Sequence, residues 1–593
     1  MTRQTPRAVA AAVLAQPSAC AEAARLARLT DRSTTAVRDE LRRCLRQMAT
    51  GRRPRWTELF GRILRWCVIG RWQVHSTEAE RQAVRRLAAS GTVVFLPGHR
   101  SHADPLFLAR VVRQCGVPRP TWFAGDNLRL PLLTGPARRA GVVFLRRRLS
   151  GDEVYRTALR LYLAYLFAQG DPLEWYQEGS RTRTGLPQPP RHGLLTHALE
   201  AVRLGTGRQV WFVPVSLTHT PVPDAARLAD EEDGRRKTPE SLRWFLHYVR
   251  QQRRAAGHVH VRFGTPLEAG AYAWAPQGEV TRGARLLGRD VARAVCRATA
   301  VTAEAVTAVV LTGRSPALTV PDVHRRVQPL LDALERCTAA APPPSELRTE
   351  AGVRTALERL AAAGAATFTG ADGQLVVRPV PRIATLHRNQ GVHWFWPRAI
   401  AEIAALRASR VPAHGAWERG VRELRLLLDL VTCGTGLQCD PFLLATAVVE
   451  LKRLTIGGGP DDERLWTFDK RLSGSGPLIA PDVLHGLITA QAVVFRQLRL
   501  HSGGRPVDRT TVLTAALSET GWSGRMHPAV PDVASPHLYS AILLDAQRRG
   551  LLDAGRAQPG LRRERAAHLY AALDDLRTLT ELANRAEGGE ARP

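Results

Sequence analysis

Between residues 91 and about 268, short apolar segments alternate with helical patterns, and this alternation limits the fold more than any other feature. Thr92–Leu96, Trp122–Ala124, Val142–Leu145, Leu173–Gln177, Val210–Val215 and Val259–Phe263 read as strands. Helical periodicity separates most of them. That succession predicts an α/β fold, a mostly parallel central sheet covered by helices on both faces. In such sheets ligands bind beyond the carboxyl ends of the strands. His99 and Glu178 each follow a predicted strand, so one crevice is expected to hold both.

The flanks differ in texture. Residues 1–50 are rich in Ala, Leu and Arg and read as helical hairpins. In 52–72, Trp56, Leu59, Phe60, Ile63, Leu64 and Cys67 recur at helical spacing. Arg52, Arg53, Arg55, Arg62, Arg65 and Arg71 accompany them, with Glu58 as the only acid. Two readings fit this basic amphipathic helix: one that lies on an anionic bilayer, or one packed on the protein with its arginines solvated. After about 300 the chain is mainly helical, with a linker at Ala341–Pro344 and a helix plus hairpin around Asp372-Gly373 over 347–380, possible in a winged helix. The expected divisions are 1–75, 76–300 and 301–593.

Two motifs carry chemistry. Gly98-His99-Arg100-Ser101-His102-Ala103-Asp104-Pro105 supplies an imidazole with a carboxylate five residues on. A hydroxyl becomes a good nucleophile when a base takes its proton, and neutral His does this near pH 7. Asp104 would accept from the far ring nitrogen, fix the tautomer and stabilise the imidazolium. His102 is a rival base, with a less suitable spacing to Asp104. Ser101 lacks the elbow a nucleophilic serine needs. The second motif, Glu178-Gly179-Ser180-Arg181-Thr182-Arg183-Thr184-Gly185, places two arginines in a turn of small residues, which suits a phosphate. Arg146, Arg147 and Arg148 end another predicted strand, where a phosphate could also be gripped. Together these motifs imply a hydroxyl on a phosphorylated substrate being made nucleophilic.

Lys and Arg total 84 against 54 Asp and Glu, giving a net charge of +30, so an anionic partner is expected: nucleic acid, an acidic membrane or phosphorylated substrates. The eight cysteines include no C-x-x-C pair, which argues against a zinc or dithiol site and suits a reducing compartment. No P-loop or dinucleotide fingerprint occurs, so neither a metal nor a nucleotide cofactor is expected. The Ala-rich start after Arg3 and Arg7 is weakly apolar and merges into a helix, so export is not expected. No apolar run is long enough to span a bilayer.

Four blocks stand in the order and approximate spacing of the glycerolipid acyltransferase superfamily: His99 to Asp104, Gly141 to Arg147, Glu178 to Gly185, and Val213-Pro214-Val215. The His-Arg-Ser-His form and the Arg-x-Arg-x-Gly ending resemble the bacterial membrane-associated glycerol-3-phosphate 1-O-acyltransferases. Later stretches are similar to family segments too, among them Val261 to Leu267 and His387-Arg388-Asn389 with His393-Trp394-Phe395. The resemblance implies that His99 is the base and Asp104 its partner. It implies that Arg146, Glu178, Gly179, Arg181 and Arg183 bind glycerol 3-phosphate. The donor would be acyl-CoA or acyl-ACP, with no cofactor. The partner surface would be an anionic membrane rather than nucleic acid, at the cytoplasmic face of the plasma (inner) membrane. Lysophosphatidate and dihydroxyacetone phosphate are alternative acceptors, and a basic nucleic-acid-binding protein is the rival reading from another class. The chain departs from the pattern at Thr182, where Ser is usual, and at Arg191, which replaces a frequent Lys. It departs again at His219-Thr220, where an aromatic-acid pair usually follows block four.

Overall fold

The apolar runs pair as β1 (Trp72–His75), β2 (Gly91–Pro97), β3 (Thr121–Gly125), β4 (Val142–Leu145), β5 (Leu173–Glu174), β6 (Gln209–Thr220), β7 (Gly257–Phe263) and β8 (Leu267–Glu268). In the computed structural model they form one sheet in the order β1-β7-β6-β2-β5-β3-β4, in which β1 pairs parallel with β7 and the strands from β6 through β2, β5 and β3 to β4 pair parallel in turn, with β8 added antiparallel to β6. The structure describes residues 5–51, 54–129, 133–146, 151–232, 241–274, 279–313, 315, 317–337, 342–371, 374–410, 413–455, 478–519 and 535–589.

Both faces of the sheet are apolar, as a parallel sheet requires. Val93, Phe95, Val213, Val215, Val259 and Val261 face one way, against Phe107, Leu108 and Val111 of the helix Asp104–Gln114. Val94, Leu96, Val210, Phe212 and Leu173 face the other, against the helices Glu153–Gln169 and Gly193–Arg203. The N-terminal helices Pro6–Leu14, Pro17–Thr30 and Thr34–Met48 bury Val13, Leu26, Leu41 and Leu45 in that same second core. The expected parallel α/β sheet, with helical N- and C-terminal regions, is what the chain forms.

Some boundaries differ from the sequence reading. Leu173–Gln177 contributes only the two residues of β5 to the sheet. The strand read as Val210–Val215 does not stop at its proline: β6 runs on to Thr220. Pro214 gives up one N–H, but its carbonyl still accepts from Gly264 at 2.9 Å.

The chain divides into two compact units. The first holds the sheet and comprises Met1–Arg181, Pro190–His219 and Lys237–Ala298. The second comprises Thr182–Pro189, Thr220–Arg236 and Thr299–Pro593. It is mainly helical, with a small antiparallel sheet in the order β10 (Ala366–Ala371), β11 (Gln374–Pro379), β9 (Leu318–Thr319). The turn between β10 and β11, at Asp372-Gly373, lies outside the described residues. Inside this unit Arg398 bridges Glu402 at 2.8 Å and Glu450 at 3.3 Å, which satisfies charges that burial would otherwise penalise.

Candidate active site

The end of β2 builds the site. After Pro97 the chain leaves the sheet through Gly98 and turns into the helix that starts at Asp104. Pro105, near the helix start, needs no N–H there. Asp104 is fully buried, and its Oδ2 accepts from the backbone N–H groups of Arg100 and Ser101, both at 2.7 Å. His99 Nδ1 lies 3.2 Å from the same oxygen. The five-residue spacing thus closes a tight loop in which carboxylate and imidazole meet. Burial alone would raise the Asp104 carboxyl; the His219 and His99 imidazoles facing its two oxygens overcome it and hold the group far below the usual carboxylate range.

The other residues of that loop take different parts. His102 turns its ring to Trp244 (5.0 Å between centroids) and Tyr248 (5.9 Å). Ser101 is buried, and its hydroxyl accepts from the Ala103 N–H at 3.1 Å.

The chain beyond β5 supplies the second wall. Tyr176 lays its ring on His99, with centroids 4.2 Å apart, and donates to Glu174 at 3.0 Å. Burial pushes the Glu174 carboxyl up to about 8. Glu178 is buried as well; desolvation lifts it to about 8, against the opposing pull of Arg100 and of the His99 backbone N–H. Its Oε2 is buried without a hydrogen-bond partner among the described residues. Gly179 adopts φ +71°, and a Cβ there would meet Arg191 Cδ at 2.7 Å, so the turn requires glycine. Arg191, which stands where the family often has Lys, therefore crosses directly over this turn. Arg181 is buried in the same unit.

The remaining candidates stand on other segments of the chain. Between Arg181 and Thr182 the chain passes into the second unit, and it returns at Pro190. There Arg183 bonds Glu231 at 2.9 Å. Gly185, at φ +81°, has no room for a Cβ beside Leu386 and Asn389, and Asn389 donates to the Thr184 carbonyl at 2.6 Å. The His387-Arg388-Asn389 stretch thus anchors the tail of the third block. Arg146 directly follows β4, the strand at the sheet edge, three inter-strand steps or about 14 Å from β2. It is held by Asp152 at 2.8 Å and Gln47 at 2.9 Å, and it lies over the Tyr155 ring. Arg147 and Arg148 lie outside the described residues. Arg138 donates to the carbonyls of Arg46 and Ala49 at the end of the helix Thr34–Met48.

Sequence reasoning missed the second partner of Asp104. His219 Nε2 stands 3.2 Å from Asp104 Oδ1, within ion-pair range although not aligned as a good hydrogen bond. Its only signal was the departure from the family pattern at that position.

Two family models and several relatives match this chain. Residues 72–218 match the family described as Acyltransferase, and residues 229–430 match the one described as Glycerol-3-phosphate acyltransferase C-terminal region. The chain is 27% identical to the provisionally named acyltransferase plsB1 of Mycobacterium bovis over 577 residues, 93% of this chain and 91% of that protein. Proteins of the same name in two strains of Mycobacterium tuberculosis match equally. The first match spans β1 to Thr218 and so contains the His99–Asp104 loop, while the second begins beyond the sheet's central strands and covers much of the helical part. The protein is an acyltransferase, and the chain belongs to the glycerol-3-phosphate acyltransferase family.

Proposed function

We propose that the protein moves a fatty acyl group from acyl-CoA or acyl-ACP to the sn-1 hydroxyl of glycerol 3-phosphate, giving 1-acylglycerol 3-phosphate. The observation that carries this reading is the contact of His99 Nδ1 with the ionised, fully buried Asp104. With Nδ1 turned to the carboxylate, Nε2 is the nitrogen that takes the acceptor's proton. The alkoxide oxygen bonds the thioester carbon, the C–S bond breaks, and the imidazolium returns the proton to the departing thiolate. The thioester brings its own leaving group, so the scheme needs no covalent enzyme intermediate, metal or cofactor. Arg181 and the Glu178-Gly179 turn are assigned to the phosphate end of the acceptor. With its carboxyl lifted to about 8, Glu178 is protonated near neutral pH and can donate to that anion rather than repel it.

The acceptor is tested by incubating a radiolabelled acyl thioester with glycerol 3-phosphate, lysophosphatidate and dihydroxyacetone phosphate in parallel. Labelled 1-acylglycerol 3-phosphate as the dominant product is expected. Preference for either other acceptor refutes the assignment.

We assign the protein to the cytoplasmic face of the plasma membrane as a peripheral protein. The helix Pro54–Leu64 and its continuation Arg65–Ile69 leave Trp56, Leu59, Ile63 and Trp66 exposed, Trp66 at 66%. Arg253 lies over the Trp66 ring at 4.3 Å, and Arg62, Arg110 and Arg113 line a neighbouring cavity of about 530 Å³. Aromatic and aliphatic tips among guanidinium groups suit an anionic lipid surface. Among the described residues no helix is long and apolar enough to cross a membrane. Trp66→Asp with Ile63→Asp should cut co-sedimentation with phosphatidylglycerol vesicles by about 10-fold or more, since each change removes buried apolar area and adds repulsion. Unchanged sedimentation refutes the docking face.

A further inference from the structure

The extension of β6 past Val215 brings a second imidazole to the site. Val213, Val215, Leu217 and His219 alternate onto one face of the strand, the face covered by the helix that begins at Asp104. His219 is fully buried there. Its ring stands edge-on to Trp72 at 6.3 Å and tilted to Phe107 at 5.5 Å. These aromatic neighbours belong to the packed interface between sheet and helix, so the imidazole has little freedom to move.

The two oxygens of Asp104 are divided between two sets of donors. Oδ2 takes the N–H groups of Arg100 and Ser101 and faces His99. Oδ1 faces His219 Nε2 at 3.2 Å. The terminal torsion of an aspartate is soft. Fixing one oxygen leaves the carboxylate plane able to swing about it; a ring nitrogen held in ion-pair range of the other oxygen limits that swing.

We propose that His219 is a positioning residue for acyl transfer, holding Asp104 Oδ1 so that Oδ2 stays aligned with His99 Nδ1. It meets neither substrate. This inference rests on the reading of His99 as the base.

The test uses the full-length protein with four single variants: His99→Ala, His219→Leu, His219→Gln and His219→Asn. Acyl-transfer kinetics and thermal unfolding are measured for each. Leu keeps an apolar filling but removes the donor. Gln can place an amide N–H near the position of Nε2, while the shorter Asn cannot. In His219→Leu, kcat should fall on the order of 10- to 100-fold, the range typical when a partner that orients a working side chain is lost. KM for both substrates should change little. His219→Gln should recover most of kcat, and His219→Asn should not. Wild-type kcat in His219→Leu overturns the inference, as do equal losses in the Gln and Asn variants. Should His219→Leu fail to fold, the Gln and Asn pair gives the same decision. An active His99→Ala would instead refute the base itself. An inactive His99→Ala beside a fully active His219→Leu would remove this inference alone.

Discussion

Replacing Glu174 by Gln should change how stability depends on pH, by an amount the structure sets. Glu174 closes β5, is 2% exposed and accepts a hydrogen bond from Tyr176. Burial, aided by the charge of Asp104, lifts its carboxyl from 4.5 to about 8 against the Tyr176 bond and Arg119. The folded protein therefore keeps a proton here that the unfolded chain releases above about 4.5. The stabilisation is complete below that value and is withdrawn as pH rises toward 8, at about 1.4 kcal/mol per pH unit. From about pH 5.5 to 7.5 the loss is about 3 kcal/mol. Gln stays neutral throughout and still offers an oxygen to Tyr176, so this term vanishes in the variant. The stability difference between wild type and Glu174→Gln should swing by about 3 kcal/mol over those two pH units, in favour of the variant at the higher pH. Glu178 titrates with the same sign but is present in both proteins, so it cancels in the difference. Urea unfolding at several pH values measures it, with fluorescence as the probe; buried Trp175, packed edge-on against Phe123 and Phe212, lies next to the substitution. A difference that stays flat with pH would mean that Glu174 is ionised in the folded protein and would refute the reasoning.

Other predictions concern the site more directly. Asp104→Asn should lower kcat on the order of 10³- to 10⁴-fold, because an amide neither fixes the tautomer nor supports the imidazolium; steady-state kinetics with near wild-type turnover would count against the pair. Arg181→Ala should raise KM for the phosphorylated acceptor far more than for the thioester, and equal increases would remove Arg181 from the phosphate. Gly179→Ala should cost about 1–3 kcal/mol, since it combines a left-handed backbone with a Cβ 2.7 Å from Arg191 Cδ; a variant as stable as wild type by urea unfolding would show that the turn has slack.

The sheet was legible because burial on both faces writes continuous apolar runs. Val142–Leu145 ends where the sequence says it does, and Thr92–Leu96 gains one residue at each end. β1 was hidden because its four residues directly follow a helix whose apolar spacing extends almost to them. The tail of β6 was hidden for another reason. Ser216-Leu217-Thr218-His219-Thr220 holds one apolar residue among four polar ones and follows a proline, which looks like the end of a strand, yet its polar members are buried too. The His99–Asp104 pair was legible because a single loop makes it. The third member depends on which strand lies beside β2 and how far that strand runs, and no local pattern encodes that.

The donors explain which carboxyl in this region carries charge. Asp104, Glu174 and Glu178 are all buried, and the charge of Asp104 raises both glutamates. Desolvation is the largest influence on each and would leave all three neutral. Among the described residues, Asp104 escapes because two backbone N–H groups and two imidazoles surround it, whereas Glu174 has one phenol and Glu178 one backbone N–H. One negative charge is thus concentrated beneath His99, where in the proposed reaction it would steady the imidazolium. A second ionised carboxylate would repel a phosphorylated acceptor approaching Arg181; a protonated Glu178 can donate to it. The assignment of roles among three similar side chains therefore follows from the count of donors around each, and only one of the three has enough to stay ionised.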